Sequence, residues 1–306
     1  MKPRRLLWCL ALIVLCLADI LISDGFSPAG GDILWKLRVP RMLAATLAGA
    51  SLALAGAQMQ ALFRNPLADP HIMGVSGGAG LGASIAALAA AGSTVTLVSA
   101  AFAGALLAGL LVVWVSARIH STGTLLIAGV MLGFVFSAVS SVLQYSASEE
   151  SLKLFYSWMA GSFGTVGNIG LTIMSVALAV GIGIAVSAHK GLDLVLFGDE
   201  FAALSGLKIR RLRLLVMIGC ALLAGAVTAF CGPIGFVGII APHIVRKIEG
   251  TSVHKVVLPL SPVCGACLSV SADIIAHLGQ HPLPVGSTMA LIGIPLVLIL
   301  LWRKRI

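Results

Sequence analysis

Few residue groupings in this 306-residue chain have types and spacings suited to chemistry. Gly74, Val75, Ser76, Gly77 and Gly78 match the nucleophile elbow of serine hydrolases, and Gly78, Gly80 and Ala83 match a dinucleotide-binding turn. Neither has the strand–turn–helix context that its chemistry needs. Cys264 and Cys267 form a C-x-x-C that could hold a soft metal or cycle through a disulfide, yet no second pair or ligand cluster accompanies it. The other cysteines, Cys9, Cys16, Cys220 and Cys231, lie in or beside apolar runs and read as small hydrophobes. His71, His243 and His281 each adjoin a proline without a spaced acid or metal partner, so fixed turns explain them more simply than catalysis. No phosphate-cradling G-x-x-x-x-G-K-[ST] occurs. We therefore assign no catalytic residue, metal site or bound cofactor.

Two polar patterns remain. Arg38 and Arg41 flank Pro40 at an expected helix start, three residues apart, which puts both guanidiniums on one exposed face. That face suits carboxylates of a docking protein; anchoring to phospholipid headgroups is the other reading. Ser137, Ser141 and Gln144, continued by Ser148, recur at i, i+4, i+7 and i+11 and line one helix face with neutral hydrogen-bonding groups. This is either the wall of a wetted path or a set of interhelical hydrogen bonds. Asp19 and Asp273 stand isolated near span ends, which leaves little for a proton or sodium relay.

The elements that carry these residues belong in a membrane. With 59% hydrophobic and 10% charged residues and a mean hydropathy of +1.07, the chain has too little polar surface to coat a soluble particle. Apolar runs predict about ten spans, near 6–22, 40–62, 73–92, 94–117, 123–147, 168–188, 213–230, 235–248, 256–277 and 285–302. The eighth is too short to cross unaided, and Gly232, Pro233 and Gly235 before it suggest a loop dipping into protein-covered interior. Gly74, Gly78 and Gly82 recur every fourth residue and strip one helix face of bulk for close packing. No small-x-small cleavage site follows the first apolar run at the right place, so it reads as a retained span.

The net charge of +9 sits in short clusters beside apolar runs and reads as a topology signal rather than a nucleic-acid surface. With both termini cytoplasmic, sixteen of the 20 basic residues fall inside, and Lys36, Arg38, Arg41 and Lys153 fall outside. The longest inner connection, about 189–212, encodes a short helix: Asp199 as N-cap, Glu200 at the positive end, and Gly206 as the left-handed stop. Phe201, Leu204, Ala202 and Ala203 give it an apolar side where solvent is expected, and an exposed patch of that kind needs a partner.

Across essentially its whole length the chain resembles the iron-siderophore, heme and cobalamin permease family of bacterial ABC importers. Four blocks carry the resemblance: RVPR from Arg38, RNPLADPHIMGVSGGAGLG from Arg64, FGDEFAALSGL from Phe197, and GPIGFVGIIAPHIVR from Gly232. It implies an all-α integral membrane protein of the type II importer permease fold, one transmembrane domain over 1–306, in the bacterial inner membrane. It further implies a second permease copy, two cytoplasmic ATPase subunits that bind ATP and Mg, and a periplasmic substrate-binding protein. Such a permease moves a large metal chelate, a ferric siderophore, heme or cobalamin; an ion-coupled secondary transporter or metal channel is the alternative. By resemblance Gly198, Asp199, Glu200, Phe201, Leu204 and Gly206 belong to the coupling helix seated in the ATPase, and Arg38 and Arg41 to the docking arginines. His277 stands where relatives can carry a third arginine. Ser121, Thr122 and Gly123 match the cytoplasmic gate, although an ordinary helix cap reads equally well, and Ser137, Ser141 and Gln144 would line the translocation path. Pro282 replaces a frequent glutamate, and Ile294 replaces an alanine before Pro295.

Reporter fusions test the orientation. A fusion after Arg213 is expected to report a cytoplasmic location, and a periplasmic signal there would break the span count.

Overall fold

The computed structural model describes residues 3–22, 31–89, 93–119, 122–279 and 282–302, and among these there is no strand. In chain order the helices are α1 (Pro3–Ile22), α2 (Gly31–Ile33), α3 (Val39–Leu62), α4 (Val75–Ala89), α5 (Thr94–Ser116), α6 (Thr122–Tyr145) and α7 (Glu149–Met159). They continue with α8 (Asn168–Val195), α9 (Asp199–Leu204), α10 (Ile209–Cys231), α11 (Val237–Glu249), α12 (His254–Ala276) and α13 (Val285–Trp302). Each of the ten predicted segments is helical. Among the described residues seven helices are long and apolar enough to cross a membrane alone, whereas α4 and α13 are shorter apolar helices.

α3 is the central strut. Between Ala44 and Ala57 its side chains are almost all Ala, Gly, Ser and Leu, so neighbours approach its backbone from every side, and all residues from Ala48 to Leu62 are buried. α12, α8, α10 and α11 pack around it. At its crossing with α12 a Cβ on Gly49 would lie 2.2 Å from the Gly265 carbonyl oxygen, and one on Gly265 would lie 2.3 Å from that of Gly49. Lower down, a Cβ on Gly56 would meet the Gly238 oxygen at 2.0 Å, so α11 touches α3 backbone to backbone.

The glycine ladder of α4 divides its contacts. Gly78 and Gly82 face Gly104 and Ala100 of α5 as a close-packing face should, but Gly74 turns toward Gly129 and Gly133 of α6. The reason is local: Gly74 has φ +71° and ends the 3-10 turn Pro70–Met73, so the helix begins only after it and the fourfold repeat does not extend to it.

Two further boundaries depart from the sequence reading. Helical backbone already runs through α2 and a π-turn over Leu34–Arg38 into α3, so Pro40 lies one residue inside α3 within a longer helix rather than at a fresh start. At the end of the π-turn the Val39 amide donates to the Leu34 carbonyl, five residues back, just before Pro40, which has no N–H to give. Ser148, expected on the polar face of α6, instead caps the unpredicted α7, its Oγ accepting from the Ser151 amide at 3.3 Å. The segment before α11 is covered as expected: Ile234 is fully buried, and the Cys231 carbonyl accepts from the Ser162 amide at 2.9 Å.

Gly265→Val is expected to prevent the α3–α12 crossing, since its Cβ would fall on backbone that cannot yield, at a cost of at least the ~1–3 kcal/mol typical of overpacking. Gly183→Val on α8, where a Cβ meets nothing within 4 Å, is expected to be tolerated. Monodispersity of the two variants in fluorescence size-exclusion separates these outcomes.

Candidate functional site

At one end of the bundle the structure gathers charges that look scattered in the sequence. Arg41 of α3 places its Nε 2.9 Å from Asp273 Oδ2 of α12, and the aspartate is fully buried. His277, one turn along α12, donates from Nδ1 to the Asp273 carbonyl at 2.9 Å and stands 3.5 Å from its carboxylate. Asp19 of α1 is buried and joins Asp273 in the same group. The isolation expected for Asp19 and Asp273 is therefore corrected: a buried carboxylate needs a cation or donor, and three helices converge to provide one.

The shared exposed face expected for Arg38 and Arg41 is corrected too. Arg38 is 6% exposed and turns to α1, where its Nη1 donates to the Ile20 carbonyl at 3.0 Å, one of the acceptors a helix end leaves open. Arg41 turns to α12. Because the chain is already helical before Pro40, both side chains start from within the bundle and not from a projecting helix end.

At the opposite end of α3 sits the mounted helix α9. Gly198 serves as its N-cap with φ +112°, a conformation that a Cβ disfavours, and Gly206 follows it with φ +83° as the expected left-handed stop. Asp199 is the first helical residue rather than the cap. Its carboxylate lies 3.7 Å from Arg64 Nη2 and 3.6 Å from Arg213 Nη2, so α9 is tied both to the end of α3 and to α10. Arg213 also donates from Nη1 to the Ile119 carbonyl at 3.1 Å, which connects α9 to the turn before α6. Ala202 is fully buried and faces the bundle, a correction to its place on the apolar outer side. That outer side consists of Phe197, Phe201 and Leu204, with Phe197 and Phe201 ring centroids 5.6 Å apart and Leu204 89% exposed. Glu200 is exposed beside them.

On α6, Ser137 and Ser141 are exposed on an open face, and Ser141 Oγ donates back to the Ser137 carbonyl at 3.0 Å. Gln144 does the interhelical work instead, its Nε2 donating to Ser84 Oγ of α4 at 3.2 Å. Of the gate residues, Ser121 lies outside the described residues, Thr122 begins α6, and Gly123 is exposed.

The hydrolase-like Ser76 does meet a base: it is hydrogen-bonded to His71 Nδ1. The other nitrogen, Nε2, lies 2.7 Å from the Ile234 carbonyl rather than a carboxylate, and the Asp69 carboxylate accepts from the His71 amide at 2.8 Å. The histidine thus pins the 69–76 turn to the covered segment before α11, with no orienting acid behind it. His243 donates to the Ile239 carbonyl at 2.9 Å within its own helix, and His281 lies outside the described residues. Sequence reasoning missed Gln60, whose amide nitrogen bonds the Gly238 and Ile239 carbonyls at 3.1 Å each and whose oxygen accepts from Arg246 at 2.6 Å. It also missed Asp193, which holds His254 Nδ1 at 2.6 Å where α8 ends and α12 begins. The available signal was a glutamine and an aspartate in otherwise apolar helix ends.

This architecture, a bundle of apolar helices around a small-residue strut with a polar anchor at each end, is that of a multi-pass membrane transport permease. The FecCD transport family model matches residues 6–303, and the chain belongs to that family. It is 36% identical to the vitamin B12 import system permease protein BtuC of Citrobacter koseri, over 99% of this chain and 96% of that protein. It is 38% identical to the BtuC protein of Klebsiella pneumoniae, over 99% and 95%. A solved metal-chelate-type ABC transporter in an inward-facing conformation superposes with a TM-score of 0.90 at 30% identity, covering 99% of this chain and 100% of that one. PsaBC from Streptococcus pneumoniae, at 19% identity and a TM-score of 0.64 over 88% and 92% of the two chains, shares the fold.

Asp199→Asn is expected to loosen α9 without unfolding α10, seen as faster amide hydrogen exchange over 199–206 alone. Unchanged exchange would mean that the Ala202 contact holds the helix without the charges.

Proposed function

We propose that this chain is the permease subunit of a binding-protein-dependent ABC importer in the bacterial inner membrane, moving a large metal chelate under the power of a separate ATPase. Cobalamin heads the candidate substrates because it is the one named for the relatives, with ferric siderophores and heme after it. The observation that carries the reading is α9, a two-turn helix with Phe197, Phe201 and Leu204 turned outward while Asp199 fixes its base to Arg64 and Arg213. A membrane protein gains nothing from holding such a patch rigidly in water unless another protein covers it. We assign it to the ATPase, with Gly198 and Gly206 setting its ends, and expect one ATPase on each of two permease copies. ATP and Mg bind there, and this chain has no catalytic role.

In the same reading both termini are cytoplasmic, and residues 121–123 gate the inner end of a path that Ser137 and Ser141 line between the two copies. The binding protein docks at the other end around Arg38 and Arg41, with His277 as a third contact. Since both guanidiniums are occupied inside the subunit, docking carboxylates would exchange with the Ile20 carbonyl and with Asp273. The buried group of Asp19, Arg41, Asp273 and His277 gives the ion-coupled alternative one observation. It stays at one end of α12, however, and the next acid toward the other end, Asp193, is already engaged by His254.

Co-expression with a cobalamin-import ATPase and binding protein, in cells lacking their own permease, tests the proposal. The wild-type chain is expected to restore uptake, and Leu204→Asp at equal expression is expected to abolish it by placing a charge in the apolar contact. Undiminished uptake by Leu204→Asp would remove α9 from the ATPase contact. A parallel Arg38→Glu and Arg41→Glu variant, rescued by lysines at facing glutamates of the binding protein, checks the docking end.

A further inference from the structure

A groove of about 600 Å³ opens sideways between α8 and α10 at the end of the bundle that carries α9, and nothing in the import reading uses it. Its wall is apolar and open to the outside, made by Leu214, Leu215 and Ile218 of α10 and Ile184 of α8. Its rim holds Lys208, Arg210 and Arg211, all exposed, at the first turn of α10. We propose that this groove is a binding site for one anionic phospholipid, its phosphate held by Lys208, Arg210 and Arg211 and an acyl chain laid along Leu214, Leu215 and Ile218.

The charges are unspent. Arg41, Arg64 and Arg213 each face a carboxylate and Lys36 pairs with Asp32, whereas the side chains of Lys208, Arg210 and Arg211 make no ion pair or hydrogen bond among the described residues. Asp193 and Asp199 are already committed to His254 and to Arg64 and Arg213, and Glu200, exposed on α9, makes no ion pair with the rim among the described residues. Three like charges on four residues repel one another, so an anion lowers their energy more than it would a lone cation. The start of α10 adds the positive end of its helix dipole.

The wall decides which anion. Free phosphate would answer the rim and leave the apolar wall uncovered, while an uncharged hydrocarbon would answer the wall and leave the rim. An amphiphile with a negative head answers both, and the groove lies along two apolar spans on which Ile218, Val180 and Val186 are exposed, a surface suited to lipid. Its volume falls within the roughly 300–1,000 Å³ range of small-ligand sites. A protein segment arriving from solvent would reach the rim but not a wall that runs on into the membrane.

The test is native mass spectrometry of the full-length permease, without ATPase or binding protein, released from vesicles of equal phosphatidylglycerol and phosphatidylcholine. The wild-type chain is expected to retain phosphatidylglycerol in preference, and Lys208→Gln with Arg210→Gln and Arg211→Gln to lower that retention about tenfold or more. Removing three charges elsewhere, by Lys36→Gln with Lys153→Gln and Lys247→Gln, is expected to leave it unchanged. Leu215→Trp, which fills the wall and spares the charges, is expected to reduce retention as well. Excess glycerol phosphate should not displace the lipid. Equal losses from both triple variants, no headgroup preference, or displacement by glycerol phosphate would each overturn the site. So would a rim variant that keeps its lipid and instead loses ATPase association. Retention needs no transport, so failure here leaves the importer reading standing, and failure of uptake leaves this site standing.

Discussion

The backbone contact between α3 and α12 at Gly49 and Gly265 sets the geometry of everything around it. Lipid rewards no apolar burial between helices, so association in a membrane depends on dispersion at short range and on polar groups that find partners. Small residues allow both. With Ala, Gly and Ser along most of its buried length, α3 admits α8, α10, α11 and α12 to its backbone at once, and the same closeness brings Gln60 within reach of the Gly238 and Ile239 carbonyls. A bulkier α3 would hold its neighbours apart and take the Gln60 donor from the Gly238 carbonyl, whose partner one turn on, Pro242, has no N–H to give.

That strut also connects the two polar ends of the bundle. Arg41 at one end reaches Asp273, while Gln60 and, beyond the helix, Arg64 reach Arg246 and Asp199 at the other. A buried ion pair adds little net stability because desolvation offsets much of the attraction, yet removing one partner costs about 3–5 kcal/mol. Such pairs therefore fix arrangement more than they stabilise it. One helix thus carries residues of both polar groups, the one around Asp273 and the one that anchors α9.

The motifs with enzymatic appearance dissolve into the same logic. His71 and Ser76 meet as a base and nucleophile would, but the second imidazole nitrogen faces a carbonyl, and the pair staples a turn against the covered segment before α11. In a chain with so few polar side chains, most of them are spent on satisfying the backbone at places where helices stop. The cations opening α10 are not spent in this way, and they point outward as the apolar face of α9 does.

Composition and hydropathy were enough to establish a helical membrane protein and to locate the seven helices that, among the described residues, are long and apolar enough to cross a membrane, since a backbone in lipid has almost no alternative to the helix. The short helix of the 189–212 loop and its stop at Gly206 were legible as well, because caps and left-handed turns are written in adjacent residues. What lay beyond the one-dimensional reading was partnership across helices. Asp273 looks solitary on its own span, and Arg41 and Asp19 become its neighbours only when α3 and α1 pack beside α12. Arg38 and Arg41 share a side of an isolated helix, but which side faces water depends on the helices around it, and here neither guanidinium is on the surface. Asp199 has the type of an N-cap, yet Arg64 and Arg213, distant in sequence, draw it into an ion pair and leave the cap to Gly198. Local chemistry chooses the elements; which charges meet is set by helix packing, whose distances no spacing along the chain records.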